Sequence, residues 1–173
     1  AGARAVAAAQ ATGLDVAAET CPQYLLLDES IYRRPDGHRY TCTPPLRTAA
    51  DRELLWALLR DETIACLATD HCPFTKKQKD RFRASFVNYV YGLAGVETGP
   101  ALMLTEMRKR NFGWPLMGRL LSTNAAKLFG LYPRLGVIRP GARADLFLYD
   151  PRGTHRLTCR EWHMRSDVSQ FEG

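Results

Sequence analysis

Apolar and polar positions along the chain fall into a helical period in some stretches and into short apolar runs in others. Ala1 to Ala11 is a run of strong helix formers with no breaker, and Gly13 stands where a helix C-cap belongs. Leu14 to Ala18 is short and apolar around Asp15 and reads as a strand. Glu19 to Arg47 is irregular, punctuated by Pro22, Pro35-Asp36-Gly37 and Pro44-Pro45. Proline fixes φ and glycine allows a positive φ, so Pro35-Asp36-Gly37 is a turn whose flanks could form a hairpin. Thr48 caps a helix running to about Arg60, with Asp51 placed to return the hydrogen bond. Ile64 to Thr69 is a buried-type strand ending at Asp70-His71, and Pro73 stops regular structure. Thr75 to Tyr91 reads mostly as loop. Gly95 to Arg110 is helical, with Glu97 in its first turn and basic residues in its last, which suits the helix dipole. A further helical region spans Pro115 to Phe129, broken near Ser122-Thr123 and ended by Gly130. Gly136-Val137-Ile138 and Asp145 to Tyr149 read as strands around a Pro140-Gly141 turn, with Leu146 to Tyr149 as sheet core.

The first part alternates helix, strand, helix, strand, helix. That order predicts an α/β fold of βα units with a parallel sheet. Reacting groups in such sheets sit at the C-terminal ends of strands. Two expected strand ends carry polar residues: Glu19-Thr20 after the first and Asp70-His71 after the second. A carboxylate directly after a buried apolar strand is costly unless it is paired or bound to a metal. Taken alone, the dipeptide is read more simply as an Asp that caps the next turn with His71 packed beside it.

Composition narrows the class. The chain has 173 residues, 46% hydrophobic and 24% charged, as in a globular domain or part of one. It opens on Ala1 inside a helical pattern and closes on Phe171-Glu172-Gly173, so both ends are expected to be cuts through a longer protein. The net charge of +6 is scattered. Its densest run, Lys76-Lys77-Gln78-Lys79, has no interleaved aromatics for base stacking, so no nucleic-acid partner is expected. Five cysteines, an odd number, and the lack of a signal peptide or a long apolar run point to a reduced, cytoplasmic setting with no membrane partner. Cys66, His71 and Cys72 do not have structural zinc spacing. Trp56 reads as a packing residue, and Tyr24 and Tyr32 as packing residues that could also line a pocket. Ser122-Thr123-Asn124 reads as the start of a helical turn, its side chains bonding free backbone amides.

A series of segments resembles the hydantoinase and dihydropyrimidinase family of the amidohydrolase superfamily, in family order. They are Glu19-Thr20-Cys21-Pro22-Gln23-Tyr24, Cys42-Thr43-Pro44-Pro45-Leu46-Arg47, Ala68-Thr69-Asp70-His71-Cys72-Pro73-Phe74 and Gly92-Leu93-Ala94-Gly95-Val96-Glu97-Thr98. Ser122-Thr123-Asn124-Ala125-Ala126-Lys127, Gly141-Ala142-Arg143-Ala144-Asp145-Leu146 and the closing Phe171-Glu172-Gly173 follow. Each piece alone is weak, but the ordered series covers nearly the whole chain.

The resemblance implies the C-terminal part of a (β/α)8 barrel, with Leu14 to Ala18 and Ile64 to Thr69 as its last two strands. Residues 1–135 would belong to the barrel and 136–173 to a small β-sandwich and tail. It implies two divalent metals, usually zinc, in the full-length protein, and a homo-oligomer, a dimer or tetramer. The implied reaction opens a cyclic amide ring by attack of a metal-bound hydroxide, with Asp70 as metal ligand and proton shuttle. His71 would orient Asp70 by a hydrogen bond. The segments holding Thr43 and Tyr91 would grip the ring through backbone groups. The family usually has Ser where Thr43 stands and Asn where Tyr91 stands, and Gly99 replaces a common Arg. These departures leave dihydroorotase-like or allantoinase-like substrates open. The family's His-x-His pair, carboxylated Lys and further His ligands have no counterparts among His38, His71, His155 and His163. The chain by itself is therefore expected to be inactive. A non-catalytic, dihydropyrimidinase-like scaffold is the rival reading, and Asp70 argues against it.

Overall fold

The computed structural model describes residues 2–81, 84 and 87–172. Ala1, Gly173, and Phe82, Arg83, Ser85 and Phe86 of the expected loop lie outside them. The chain forms two compact bodies, Ala1–Thr20 with Leu54–Ala68 and Met103–Gly153, and Cys21–Glu53 with Thr69–Leu102 and Thr154–Gly173.

In the first body, α1 (Gly2–Ala11) ends as its sequence requires. Gly13 takes φ +84°, and the Gly13 and Leu14 amides donate back to Gln10 O and Ala9 O. The strand that follows is β1 (Ala18–Thr20), not Leu14 to Ala18. Leu14 and Val16 are exposed, and the strand begins only where a partner backbone is available. β1 runs parallel to β2 (Ile64–Leu67), Ala18 opposite Ile64 and Thr20 opposite Leu67, and the Ala68 amide donates to Thr20 O. Glu19 and Thr20 are thus strand residues rather than groups beyond its end. Helix α3 (Ala49–Arg60) lies between the two strands in sequence, the β-α-β order a parallel pair needs.

Burial within this body follows the expected periods. Ile64 and Cys66 are the buried positions of β2, and Trp56 and Leu59 those of α3. Trp56 meets Phe112 edge to face at 5.7 Å, and the Arg110 guanidinium covers the indole at 4.5 Å. α5 (Gly99–Lys109) starts four residues after the expected Gly95 and buries Met103, Leu104 and Met107. The expected break near Ser122-Thr123 is a π turn, Arg119–Thr123, between α6 (Trp114–Gly118) and α7 (Asn124–Leu128). Ser122-Thr123-Asn124 does not cap. Thr123 is itself helical (φ −61°, ψ −44°), so the chain offers no free amides there. Instead Thr123 Oγ1 donates to Gly136 O at 2.7 Å, and Asn124 Nδ2 donates to Ala65 O of β2 at 2.8 Å.

Residues 136–149 form no strand. Ile138, Leu146, Phe147 and Leu148 are exposed rather than sheet core. A strand exists through its partner's hydrogen bonds, and no described residue supplies them here.

In the second body, α2 (Pro22–Leu26) leads into two 3-10 turns, Glu29–Arg33 and Gly37–Tyr40, where a hairpin was expected. The Pro35-Asp36-Gly37 turn joins them, and a Cβ on Gly37 would stand 2.6 Å from Tyr32 O. The capping box at the start of α3 is formed: Thr48 Oγ1 accepts from the Asp51 amide, and Asp51 Oδ2 accepts from Thr48 N and Oγ1. Cys42, Leu46 and Leu93 make a small core against Tyr24, Leu27, Ile31 and Tyr32. Glu97 does not serve α5. Its carboxylate accepts from the amides of His163 and Met164 and from His163 Nδ1, and holds the last segment of the chain. Those bonds keep its pKa near 2, well below the usual carboxylate range. No described helix is long and apolar enough to cross a membrane.

Candidate active site

Asp70, His71, Thr43 and Tyr91 all fall in the second body. Asp70 follows β2 by three residues and takes φ +45°, a left-handed turn that Asp tolerates better than most side chains. Its side chain is exposed, and no described residue offers it a hydrogen bond or an ion pair. The simple capping role is therefore absent.

Backbone hydrogen bonds stitch the three site segments together. His71 bridges Leu93 in parallel fashion, and the Cys72 amide donates to Leu93 O at 3.0 Å. The Gly92 amide donates to Thr41 O at 3.1 Å, which joins the Tyr91 segment to the Thr43 segment. Gly92 is required here. Its φ is +151°, and a Cβ would stand 2.6 Å from Cys72 O.

His71 is fixed by the loop beyond it. Its Nδ1 accepts from the Gly95 amide at 3.1 Å and the Val96 amide at 3.2 Å. The ring proton is accordingly on Nε2.

Thr43 is exposed and precedes a cis bond to Pro44. Tyr24 reaches the same turn, its hydroxyl donating to Pro44 O at 2.9 Å. Burial raises the Tyr24 pKa strongly, with Cys42, Cys21 and Asp70 adding to it. Tyr32 accepts the Leu46 amide at 2.9 Å. Tyr91 stands edge to face with Tyr89 at 5.8 Å. Together Tyr91, Tyr32, His38, Cys42 and Pro45 line an open, mainly apolar pocket of about 380 Å³. Tyr32 thus has a surface on the pocket as well as a packing role.

Two features of this region were missed in the sequence. The expected loop after Thr75 contains α4 (Lys76–Arg81). Thr75 Oγ1 accepts the Gln78 amide and Gln78 Oε1 accepts the Thr75 amide, so Thr75-x-x-Gln78 was a legible capping box. From α4, Asp80 takes two hydrogen bonds from Arg39, at 2.8 and 2.7 Å, and meets His38 Nε2 at 2.6 Å. Arg39, followed by His38, holds the Asp80 carboxyl far below its ordinary pKa. Nothing in the local pattern pairs residues 38–39 with residue 80.

Among the described residues no three His, Cys, Asp or Glu side chains cluster to hold a metal ion. Asp70 offers one carboxylate without a competing partner, which fits one ligand of a metal site and not a whole one.

A parallel β-α-β pair defines an α/β protein. The family described as the amidohydrolase family matches residues 8–171, and the chain belongs to it. It is 37% identical over 164 residues to a D-hydantoinase of Streptomyces coelicolor, covering 93% of this chain and 35% of that protein. A D-phenylhydantoinase of Escherichia coli is 36% identical over 167 residues, covering 95% and 36%. The crystal structure of dihydropyrimidinase from Brevibacillus agri NCHU1002 superposes with a TM-score of 0.94 at 35% identity, over 99% of this chain and 38% of that one. The chain spans little more than a third of the length of the curated relatives it matches.

Proposed function

We propose that this chain is the C-terminal part of a metal-dependent hydrolase that opens a cyclic amide ring of the dihydropyrimidine or hydantoin type. The observation that carries the reading is the Asp70 carboxylate. It sits beyond β2, exposed and unpaired among the described residues, in backbone that is tied to the Thr43 and Tyr91 segments. In this reading β1 and β2 are the last two strands of a (β/α)8 barrel. Residues 136–173 contribute to a small β-sandwich.

Asp70 would be one ligand of a divalent metal site, zinc in the usual family case, whose other ligands lie outside this chain. A metal held there would lower the pKa of a water and polarise a carbonyl. Asp70 takes the proton from the attacking water and delivers it to the leaving amide nitrogen. His71, pinned by two loop amides, fixes the backbone on which Asp70 sits, which replaces the direct orienting bond expected from the sequence. The exposed backbone at Thr43 and Tyr91 holds the ring amide. The apolar pocket beside Tyr91 can accept a ring substituent, which favours hydantoins with bulky side groups over unsubstituted rings. The unpaired carboxylate also favours an enzyme over a metal-free scaffold.

The test is hydrolysis of hydantoin and dihydrouracil by the zinc-loaded whole protein. Asp70→Asn is expected to lower kcat/KM by about 10³-fold, because it removes both a ligand and the proton carrier. Residues 1–173 alone, with added zinc, are expected to show no turnover. Ring opening by that chain, or an active Asp70→Asn variant, would sink the reading.

A further inference from the structure

Lys79 is the one large charged side chain among the fully buried residues described, at 1% exposure. Its ammonium bonds three neutral oxygens: Thr41 O at 2.9 Å, Thr41 Oγ1 at 3.3 Å and Val90 O at 3.0 Å. The rings of Phe74 and Tyr89 lie 5.4 and 5.6 Å from it. Burial lowers its pKa to about 8. An ammonium so placed is costly, and an apolar side chain of similar length would fill the space without that cost. The three bonds therefore need a reason beyond filling space.

Their positions supply one. Thr41 is two residues before Thr43, and Val90 directly precedes Tyr91. Thr41 O also accepts the Gly92 amide, so one carbonyl oxygen takes both the loop–loop bond and the ammonium. Lys79 is donated from α4, whose own capping box and whose Asp80 contacts to His38 and Arg39 fix it in place. The cation thus spans the two segments from a third element.

We infer that Lys79 is a positioning residue, which sets the spacing of the Thr43 and Tyr91 backbone groups that grip the ring amide. It touches neither the substrate nor the reacting atoms. The inference rests on the proposed ring-amide grip. Loss of the ammonium lets the two segments part, which weakens the hold on the ring in the ground state and the transition state alike. Such a loss raises KM and leaves kcat nearly unchanged.

The test uses the zinc-loaded whole protein with Lys79→Met, a variant of similar length without the donors. The expected result is a KM for hydantoin raised about tenfold, with kcat within about threefold and metal content unchanged. Hydrogen exchange of the Gly92 amide should speed up at least tenfold. Should Lys79→Met fail to fold, Lys79→Gln keeps a shorter donor and carries the same test, with a smaller rise in KM expected. An active variant with unchanged KM and unchanged Gly92 exchange overturns the inference alone. A fall in kcat with no change in KM overturns it too. A wild-type protein that opens no cyclic amide overturns the grip itself, and the inference with it.

Discussion

Residues 75–81 and residues 136–149 were misread in opposite directions, and the contrast shows what each kind of element needs. The first lies in a stretch read mostly as loop and contains a helix. The second was read as two strands and has none. A short helix closes its own hydrogen bonds, and Thr75-x-x-Gln78 satisfies the first of them locally. The basic run hid this, because Lys76, Lys77 and Lys79 looked like a solvated stretch, while Lys79 points inward. A strand leaves its hydrogen bonds to a partner. Alternating or apolar residues at 136–149 state a capacity to pair, and pairing needs a second chain segment that no local pattern provides.

The contrast can be broken at three places. The largest effect is expected at Asp80, which ties α4 to residues 38–39. Asp80→Ala should destabilise the second body by about 1–2 kcal/mol, discounted for its partial exposure, in denaturant melts of the chain. No loss would mean that α4 stands without its tertiary anchor. Thr75→Ala removes only the local cap and should cost about 1 kcal/mol in the same melts. A cost matching that of Asp80→Ala would make the helix a local structure first. Leu148→Ser is expected to change stability by less than about 0.5 kcal/mol, because the side chain is bare. A loss above about 1 kcal/mol, measured in the whole protein, would show that something packs on this stretch.

Much of the fold and part of the site could be read from residues alone. The helix ends at Gly13 and Gly130 and the Thr48 capping box rest on local rules, the parallel pair rests on the order of elements along the chain, and they hold. β1 was misplaced because Leu14 and Val16 are apolar yet face solvent, while the pairing residues include a Glu. The site segments were visible as motifs, but their stitching was not. It runs through backbone groups, as in Gly92 N to Thr41 O and Cys72 N to Leu93 O, and backbone groups leave no mark on side-chain identity. Lys79 was invisible for a further reason: a buried lysine and an exposed one are the same letter, and only the oxygens around it distinguish them.

Gly92 sets how this neighbourhood can vary. A Cβ there would collide with Cys72, so the position is closed to other side chains, whereas Tyr91 beside it lines the open pocket while packing on Tyr89. A library that diversified residue 91 and left residue 92 alone would change the shape of the pocket while the main chain carrying it stayed where it is. Pocket shape and scaffold are thus set at adjacent positions.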